Sequence, residues 1–115
     1  MQTITSPTHT STPTPDTLRL RALIDANRGE VSKLFDEYGA TEPRLFGSVA
    51  RGEAGPHSDI DILVNLDPKD GNVLWRAAGI LGGLEDMLDA KIDVFCPELM
   101  KQNVSQSAEM DAMPL

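Results

Sequence analysis

Cysteine is almost absent from this 115-residue sequence, which contains only Cys96. No intramolecular disulfide can therefore form, and the apolar surroundings IDVFC favour a buried, unreactive thiol. Long hydrophobic runs are missing too, since no stretch approaches the roughly 18 apolar residues that a membrane-spanning helix needs. The N-terminus lacks the charged-then-apolar pattern of a secretion signal. We expect a cytoplasmic protein without a membrane partner.

Basic residues are also scarce relative to acidic ones. Ten Lys and Arg against 18 Asp and Glu give a formal net charge of −8. Proteins that hold polynucleotide phosphates are normally basic, so this balance argues against stable nucleic-acid binding. It does not exclude a single nucleotide, because a bound divalent ion can reverse the local field. The length fits one domain and leaves no room for a second.

Helical patterns surround the middle of the chain. The first fifteen residues are mostly Ser, Thr and Pro, and predict a flexible tail (1–15) ahead of a single domain at 16–115. Apolar spacing predicts two short helices, about 16–26 and 28–38, the second capped by Asn27 with Glu30 and ended by Gly39. Two further helices are expected, at 72–88 with a bend or break at Gly82-Gly83, and from about 98 to 108.

Three short apolar segments predict β-strands. The first is PRLF, with Pro43 at its edge, and it ends at Gly47-Ser48. The stretch VARGEAGPHS then predicts one helical turn followed by a loop. IDILVNL is the second strand, and its almost continuous apolar character is typical of a sheet covered on both faces. KIDVFC is the third.

Two aspartates enter the second strand at alternate positions. Asp59 and Asp61 would share one face with Cα atoms roughly 7 Å apart. Carboxylates so placed can converge on one Mg²⁺, or share two ions about 3.5–4 Å apart. Asp93 opens the third strand and would lie beside this pair if the two strands are neighbours. Three carboxylates on one face repel each other unless a cation neutralises them, so the pattern predicts a metal site.

A Gly-Ser turn precedes these aspartates. Gly47 and Ser48 end a strand and open a helical turn, where unpaired N–H groups favour an anion such as phosphate. Arg51 projects from the same side of that turn, and could either contact a phosphate or brace the loop by pairing with a carboxylate. Gly52 continues the turn. Ser58 is expected to fix the start of the second strand by bonding local backbone.

Each of these features has an ordinary interpretation when taken alone. An Asp-x-Asp pair in an acidic chain is more often solvated surface, Gly-Ser is usually only a turn, and His57 is most simply an exposed loop residue. The combination is unusual, because chance agreement of seven fixed residues is on the order of one in a billion per start position. The seven are Gly47, Ser48, Arg51, Gly52, Ser58, Asp59 and Asp61.

GSVARGEAGPHSDIDILV followed by KIDVF closely resembles the minimal nucleotidyltransferases of the DNA polymerase β superfamily. In particular it is similar to the antitoxins encoded beside HEPN-domain ribonuclease toxins. The resemblance covers about residues 17–115. It implies an α+β fold of α/β type, with a small mixed sheet of three to four strands flanked by helices. It also implies that Asp59 and Asp61 are the metal-binding pair, Asp93 the third acidic ligand, and Gly47 and Ser48 the triphosphate-binding turn.

The resemblance implies Mg²⁺-dependent transfer of a nucleoside monophosphate from ATP to a hydroxyl, with two ions bound and Asp93 nearest the nucleophile. Only 22 residues follow Asp93, so we expect a protein partner to supply the acceptor. In the family this is a tyrosine of the cognate HEPN toxin, which adenylylation silences. The alternative is an antitoxin that acts by binding alone, docking through Trp75, Met87 and the Gly82-Gly83 helix, although helical spacing favours a core position for Trp75.

Overall fold

The computed structural model describes residues 12–99 and 112–115, in which helices alternate with the strands of one sheet. Two single turns of 3₁₀ helix, at Pro68–Asp70 and Pro97–Leu99, lie between the main elements. The main elements in chain order are α1 (Pro15–Ala26), α2 (Arg28–Glu37), β1 (Ala40–Phe46), α3 (Gly47–Arg51), β2 (Ile60–Leu66), α4 (Val73–Leu88), β3 (Ile92–Phe95) and β4 (Met113–Pro114).

The described strands form a mixed sheet in the order β3-β2-β1-β4. β1 pairs antiparallel with both β2 and β4, whereas β2 and β3 are parallel. The parallel pair is joined through α4, as a parallel connection requires a crossover. This architecture confirms the predicted α+β fold with a small mixed sheet flanked by helices.

β2 is buried much more completely on one face than on the other. Ile60, Ile62, Val64 and Leu66 are at most 1% exposed and belong to the main hydrophobic core with residues of α1, α2 and α4. On the opposite face, Leu63 is buried outside that core cluster, whereas the flanking Asp61 and Asn65 are half-buried. The predicted cover on both faces is therefore wrong except at Leu63. The partly open face is the one that carries the candidate site.

The first two helices match their predicted ranges to within one residue, but the predicted cap between them is wrong. The Asn27 side chain makes no cap hydrogen bond to α2; its Nδ2 instead donates to the Leu23 carbonyl at 2.9 Å. Only this one residue separates the helices, so Asn27 completes the last turn of α1 rather than opening α2. Gly39 follows α2 at φ +70°, as predicted for the left-handed position.

Helix α4 runs unbroken through Gly82-Gly83, so a break there, one of the two predicted alternatives, is wrong. A Cβ at Gly83 would lie 2.8 Å from Leu34 Cδ1, and one at Gly79 would lie 2.5 Å from the Tyr38 ring. These two glycines stand four residues apart and so share one helix face. Their missing side chains allow α2 to pack closely, which offsets their poor helix propensity.

β1 begins at Ala40, three residues earlier than predicted, and contains Pro43 within it rather than at its edge. The register with β2 shifts between Thr41 and Arg44, and Glu42 adopts φ +51°. The absence of an N–H on proline is tolerated at such a bulge. The Pro43 carbonyl accepts from Leu115 N at 3.1 Å, which helps to hold β4 in place.

Part of the predicted organisation falls outside the described residues. Residues 1–11 of the predicted tail and most of the predicted helix at 98–108 lie outside them. Thr14 caps α1 through a hydrogen bond from Thr17 N. None of the helices in the described ranges is long and apolar enough to cross a membrane.

Candidate active site

The three predicted carboxylates come together at the start of the parallel strand pair. Asp61 and Asp93 are direct neighbours across the β2–β3 ladder, and Asp61 pairs with Phe46 on its other side. Residues paired in this way project from the same face of a sheet. Asp59 lies one residue before β2, two positions from Asp61. The condition that the second and third strands be neighbours is thus met.

Burial and the nearby negative charges raise the pKa of two of these carboxylates. The pKa of Asp61 is raised from 3.8 to about 6, first by burial and then by the negative charges of Asp93 and Asp59, while Arg51 opposes the shift. The pKa of Asp93 is also raised, by removal from water and by interaction with Asp59, against a lowering effect of Lys91. Ionising all three groups is therefore unfavourable without a compensating cation.

The donor chemistry of this cluster fits a divalent ion, although the side chains are not already arranged around one. Within residues 12–99 and 112–115, no three acidic, histidine or cysteine side chains stand in a geometry that could hold a metal. Carboxylate oxygens are nevertheless the ligands that Mg²⁺ prefers, and a cation would relieve the repulsion that raises the pKa of Asp61. Metal binding should then release protons from the cluster and draw the carboxylates together.

Gly47 places the backbone of the Gly-Ser turn directly against Asp61. Its φ is +74°, and a Cβ there would lie 2.3 Å from Asp61 Oδ2. A side chain at this position would be strained by the backbone conformation and would also collide with the carboxylate. Glycine is therefore required at position 47 for two reasons: the backbone conformation of the turn and the close approach of the Asp61 carboxylate.

Ser48 occupies the first turn of α3, where backbone N–H groups are not used by the helix. Its side chain is half-buried, and its hydroxyl makes no hydrogen bond with another residue of the described ranges. Gly52 ends α3 in the left-handed conformation, at φ +81°. The turn thus presents one hydroxyl and several amides close to the carboxylates.

Arg51 has features of both predicted roles, bracing the loop and contacting a phosphate. Its Nε donates to Glu53 Oε1 at 2.9 Å, which is the bracing arrangement. Its charge also lowers the pKa of Asp61, so the guanidinium lies within electrostatic reach of the cluster. Ser58 acts as predicted, because its Oγ accepts from Gly55 N at 2.8 Å and fixes the loop before β2.

Two half-buried aromatic rings lie on the same sheet face as the carboxylates. Phe46 is the β1 partner of Asp61, and Phe95 follows Asp93 by two positions. The rings contact each other edge to face, with centroids 4.8 Å apart. Phe95 is also the β3 partner of Leu63, whose side chain is fully buried on this face.

Of two predictions about residues outside the carboxylate cluster, the structure confirms the one for His57 and contradicts the one for Trp75. His57 is exposed in its loop, as expected. Trp75 is 78% exposed and its neighbour Leu74 67% exposed, so the predicted core position of Trp75 is wrong. Helical spacing failed here because both residues lie in the first turn of α4, ahead of the part that packs on the sheet.

Three residues that hold the turn in place were not predicted from the sequence. Thr14, Thr17 and Arg21, at the start of α1, make hydrogen bonds to the segment 49–54. Their partners lie 28 to 40 residues away in the chain, so local patterns carry no signal for these contacts.

Comparison with known proteins identifies the group to which this architecture belongs. The model of the nucleotidyltransferase domain family matches residues 26–115. This chain is a member of the nucleotidyltransferase domain family. The predicted family, and with it the enzyme class, are thereby confirmed.

Similar proteins cover most of this nucleotidyltransferase. MJ1379 of Methanocaldococcus jannaschii, a candidate protein adenylyltransferase by its name, is 34% identical over 68% of this chain and 79% of its own. The protein adenylyltransferase MntA of Thermococcus cleftensis is 27% identical over 76% and 84%. A solved structure described as a candidate minimal nucleotidyltransferase is 33% identical and superimposes with a TM-score of 0.70, over 86% of this chain and 95% of that one.

A toxin–antitoxin complex with AMP-PNP has the same fold, with a TM-score of 0.64 over 76% of this chain and 71% of that one. At 22% identity this similarity concerns the fold alone. The roles predicted for the individual site residues stay predictions.

Proposed function

We propose that this nucleotidyltransferase is a Mg²⁺-dependent protein adenylyltransferase that modifies a tyrosine hydroxyl of a cognate HEPN ribonuclease toxin, and so serves as its antitoxin. The observation that carries the proposal is the meeting of Asp59, Asp61 and Asp93 on adjacent strands, against the Gly47-Ser48 turn. The names of the two adenylyltransferase relatives support a protein acceptor. The single cysteine is consistent with action in the cytoplasm, where ATP is the donor.

In the proposed reaction, the acceptor oxygen forms a bond to the α-phosphorus of ATP while the bond to the β-phosphate oxygen breaks and pyrophosphate leaves. Asp59, Asp61 and Asp93 would hold two Mg²⁺ ions, whose chemistry is to neutralise charge at the attacking and leaving oxygens. Ser48 and the amides of its turn bind the triphosphate. Asp93 stands on the outer strand of the described sheet and is exposed, so an acceptor hydroxyl can approach it, and we propose that it takes the hydroxyl proton.

The direct test is to incubate the protein with its partner toxin, ATP and Mg²⁺ and to weigh the toxin by mass spectrometry. We expect added AMP on a tyrosine with the wild type, and none with Asp61→Asn or Asp93→Asn. Asp86→Asn, an exposed position on α4, is the matched control and should transfer normally. Unmodified toxin with the wild type, or normal transfer by Asp61→Asn, would contradict the proposal.

The second candidate function is neutralisation by binding alone, and the exposed pair Leu74 and Trp75 favours it. Two large apolar side chains that remain in water are typical of a surface that another protein covers. Stoichiometry separates the candidates. An enzyme protects the toxin's RNA substrate at substoichiometric amounts and leaves a covalent mark, whereas a binding antitoxin needs at least equimolar protein and leaves none.

A further inference from the structure

Arg21 of α1 reaches across to the end of the helical turn that follows Gly47 and Ser48. Its Nε and Nη2 donate to the Val49 carbonyl at 3.2 and 2.9 Å, and Nη2 also donates to the Ala50 carbonyl at 3.1 Å. The last carbonyls of a helix have no partner within the helix, and a cation there is favourable. A fixed, charged fork thus holds the C-terminal end of α3.

Two threonines of the same segment hold the loop that follows α3. Thr14 N donates to the Gly52 carbonyl at 3.0 Å, and Thr14 Oγ1 donates to the Ala54 carbonyl at 2.7 Å. Ala54 N donates to Thr17 Oγ1 at 2.9 Å, and Thr17 is fully buried. We call Thr14, Thr17 and Arg21 the α1 brace.

Few contacts within α3 itself fix its position. α3 is five residues long, and Val49 is its buried side chain. Glycines at positive φ stand at both of its ends, Gly47 and Gly52, and such residues leave the backbone unusually free when external contacts are lost. The orientation of α3 therefore depends on contacts from elsewhere in the fold, and the α1 brace supplies hydrogen bonds to its C-terminal half.

All three residues of the α1 brace precede the region that matches the family. The family match begins at residue 26, whereas α1 covers Pro15–Ala26. Position 21 is consequently outside the matched domain, although its side chain contacts the residues directly after Ser48.

We propose that Arg21 is a positioning residue for nucleotide binding: it fixes α3 so that the Gly47-Ser48 turn meets the triphosphate beside Asp61. This inference rests on the proposed function for the identity of the ligand. Loss of Arg21 removes its hydrogen bonds to the Val49 and Ala50 carbonyls, so that, among the described residues, Val49 O keeps only the bond from Gly52 N at 3.4 Å. The turn can then shift, and part of the binding energy for the nucleotide is used to order it.

The test compares Arg21→Met, which keeps length and removes the donors, with Arg21→Lys and with Arg19→Met. Arg19 is on the same helix, has a 58% exposed side chain and pairs with Asp16, and so is the matched control. The probe is α,β-methylene-ATP with Mg²⁺, whose α–β linkage is not cleaved, and titration calorimetry gives its Kd. We expect Arg21→Met to raise the Kd about 10-fold, Arg21→Lys to fall between, and Arg19→Met to match the wild type.

Hydrogen exchange of the ligand-free proteins provides a readout independent of the nucleotide. Amides of Gly52 and Glu53, which bond back to carbonyls of α3, should exchange about 10-fold faster in Arg21→Met, while those of β2 and α4 stay unchanged. A merely structural role would instead lower the melting temperature and raise exchange throughout the molecule without a selective change in Kd.

The outcomes separate this inference from the proposed function. If the wild type binds the probe and Arg21→Met binds it equally well, the positioning role is wrong while the proposed function stands. If the wild type binds no probe, the proposed function fails, and unchanged exchange at residues 52–53 then also overturns the positioning role. Should Arg21→Met not fold, Thr17→Val against Thr17→Ser tests the same brace through the bond to Ala54 N.

Discussion

At the scale of single residues, Asp61 is the point where the parts of the site meet. The carboxylate of Asp61 touches the backbone of Gly47, pairs across the ladder with Asp93, and has its pKa raised to about 6 by burial and like charges. Such a group is unfavourable in its ionised form unless a cation is present. The raised pKa of Asp61 and its contact with Gly47 can be tested by separate experiments.

The raised pKa of Asp61 predicts an unusual pH dependence of stability in EDTA. In the unfolded chain the pKa of this carboxyl is near its ordinary value of 3.8, whereas in the folded protein burial and the neighbouring negative charges raise the pKa to about 6. Its contribution to stability is therefore present below pH 4 and is lost as pH rises through 6. Melting temperatures of the wild type should fall relative to Asp61→Asn across that window. Parallel curves for the two proteins would contradict this assignment.

Magnesium should reverse the effect. Because the ion binds the ionised carboxylates, it should raise the melting temperature of the wild type more at pH 7.5 than at pH 5. Asp61→Asn should respond less at both values.

Gly47→Ala should strain the backbone of the turn and displace the Asp61 carboxylate. Alanine at φ +74° costs about 1–2 kcal/mol, and its Cβ would also displace the Asp61 carboxylate. We expect a lower free energy of unfolding and loss of adenylyl transfer. Gly55→Ala, in the same loop region with open space around it, is the control and should leave transfer unchanged. Normal transfer by Gly47→Ala would show that the turn does not need its close approach to Asp61.

At the scale of elements, the crossover through α4 is what assembles the site. It returns the chain so that β3 runs parallel to β2, and their first residues lie side by side. Asp61 and Asp93 are 32 positions apart in sequence and become neighbours only through this connection. The close packing of α4 on α2 fixes the crossover, and two glycines of α4 permit that packing.

Glycines of α4 should therefore respond differently to the same substitution. Gly82 faces open space, so Gly82→Ala should stabilise the protein by up to about 1 kcal/mol through helix propensity. Gly79→Ala would place a Cβ 2.5 Å from the Tyr38 ring and should destabilise it, by about 1–3 kcal/mol. Chemical denaturation of the two variants measures both signs. Equal effects would mean that the α2–α4 contact is loose.

At the scale of the whole molecule, the site and the exposed apolar pair belong to opposite ends of β2. Asp61 is near the start of this strand, whereas Leu74 and Trp75 follow its end, after the turn at 67–72. Seven residues of strand span roughly 20 Å. The apolar pair is therefore a surface separate from the carboxylates.

Trp75 is the sole tryptophan and reports on this surface directly. At 78% exposure its fluorescence should resemble that of indole in water and be quenched readily by acrylamide. If the partner toxin covers this surface, binding should shift the emission to shorter wavelength and reduce quenching. Emission typical of a buried indole in the free protein would contradict the exposed position. Leu18→Ala, at an exposed site on α1, is a control that should leave the emission unchanged.

The sequence by itself determined the elements and the chemistry of the cluster. Apolar spacing located α1, α2, α4 and the strands β1 to β3, but not β4, because burial against one core imposes those periods on the longer segments. The residue types at positions 47, 48, 59, 61 and 93 predicted an acidic cluster beside an anion-binding turn, and their pattern led to the family that the comparisons confirm. These features are local, and each can be read within a few residues of chain.

Only the tertiary structure decided what depends on distant packing. It left Trp75 in water, kept α4 continuous through Gly82-Gly83, turned Asn27 back onto α1 and opened one face of β2 around Asp61. It also brought Arg21 to the carbonyls of α3. The physical reason is common to all of these: each depends on which surfaces meet when the helices pack on the sheet, and that free energy is absent from any single segment of the chain.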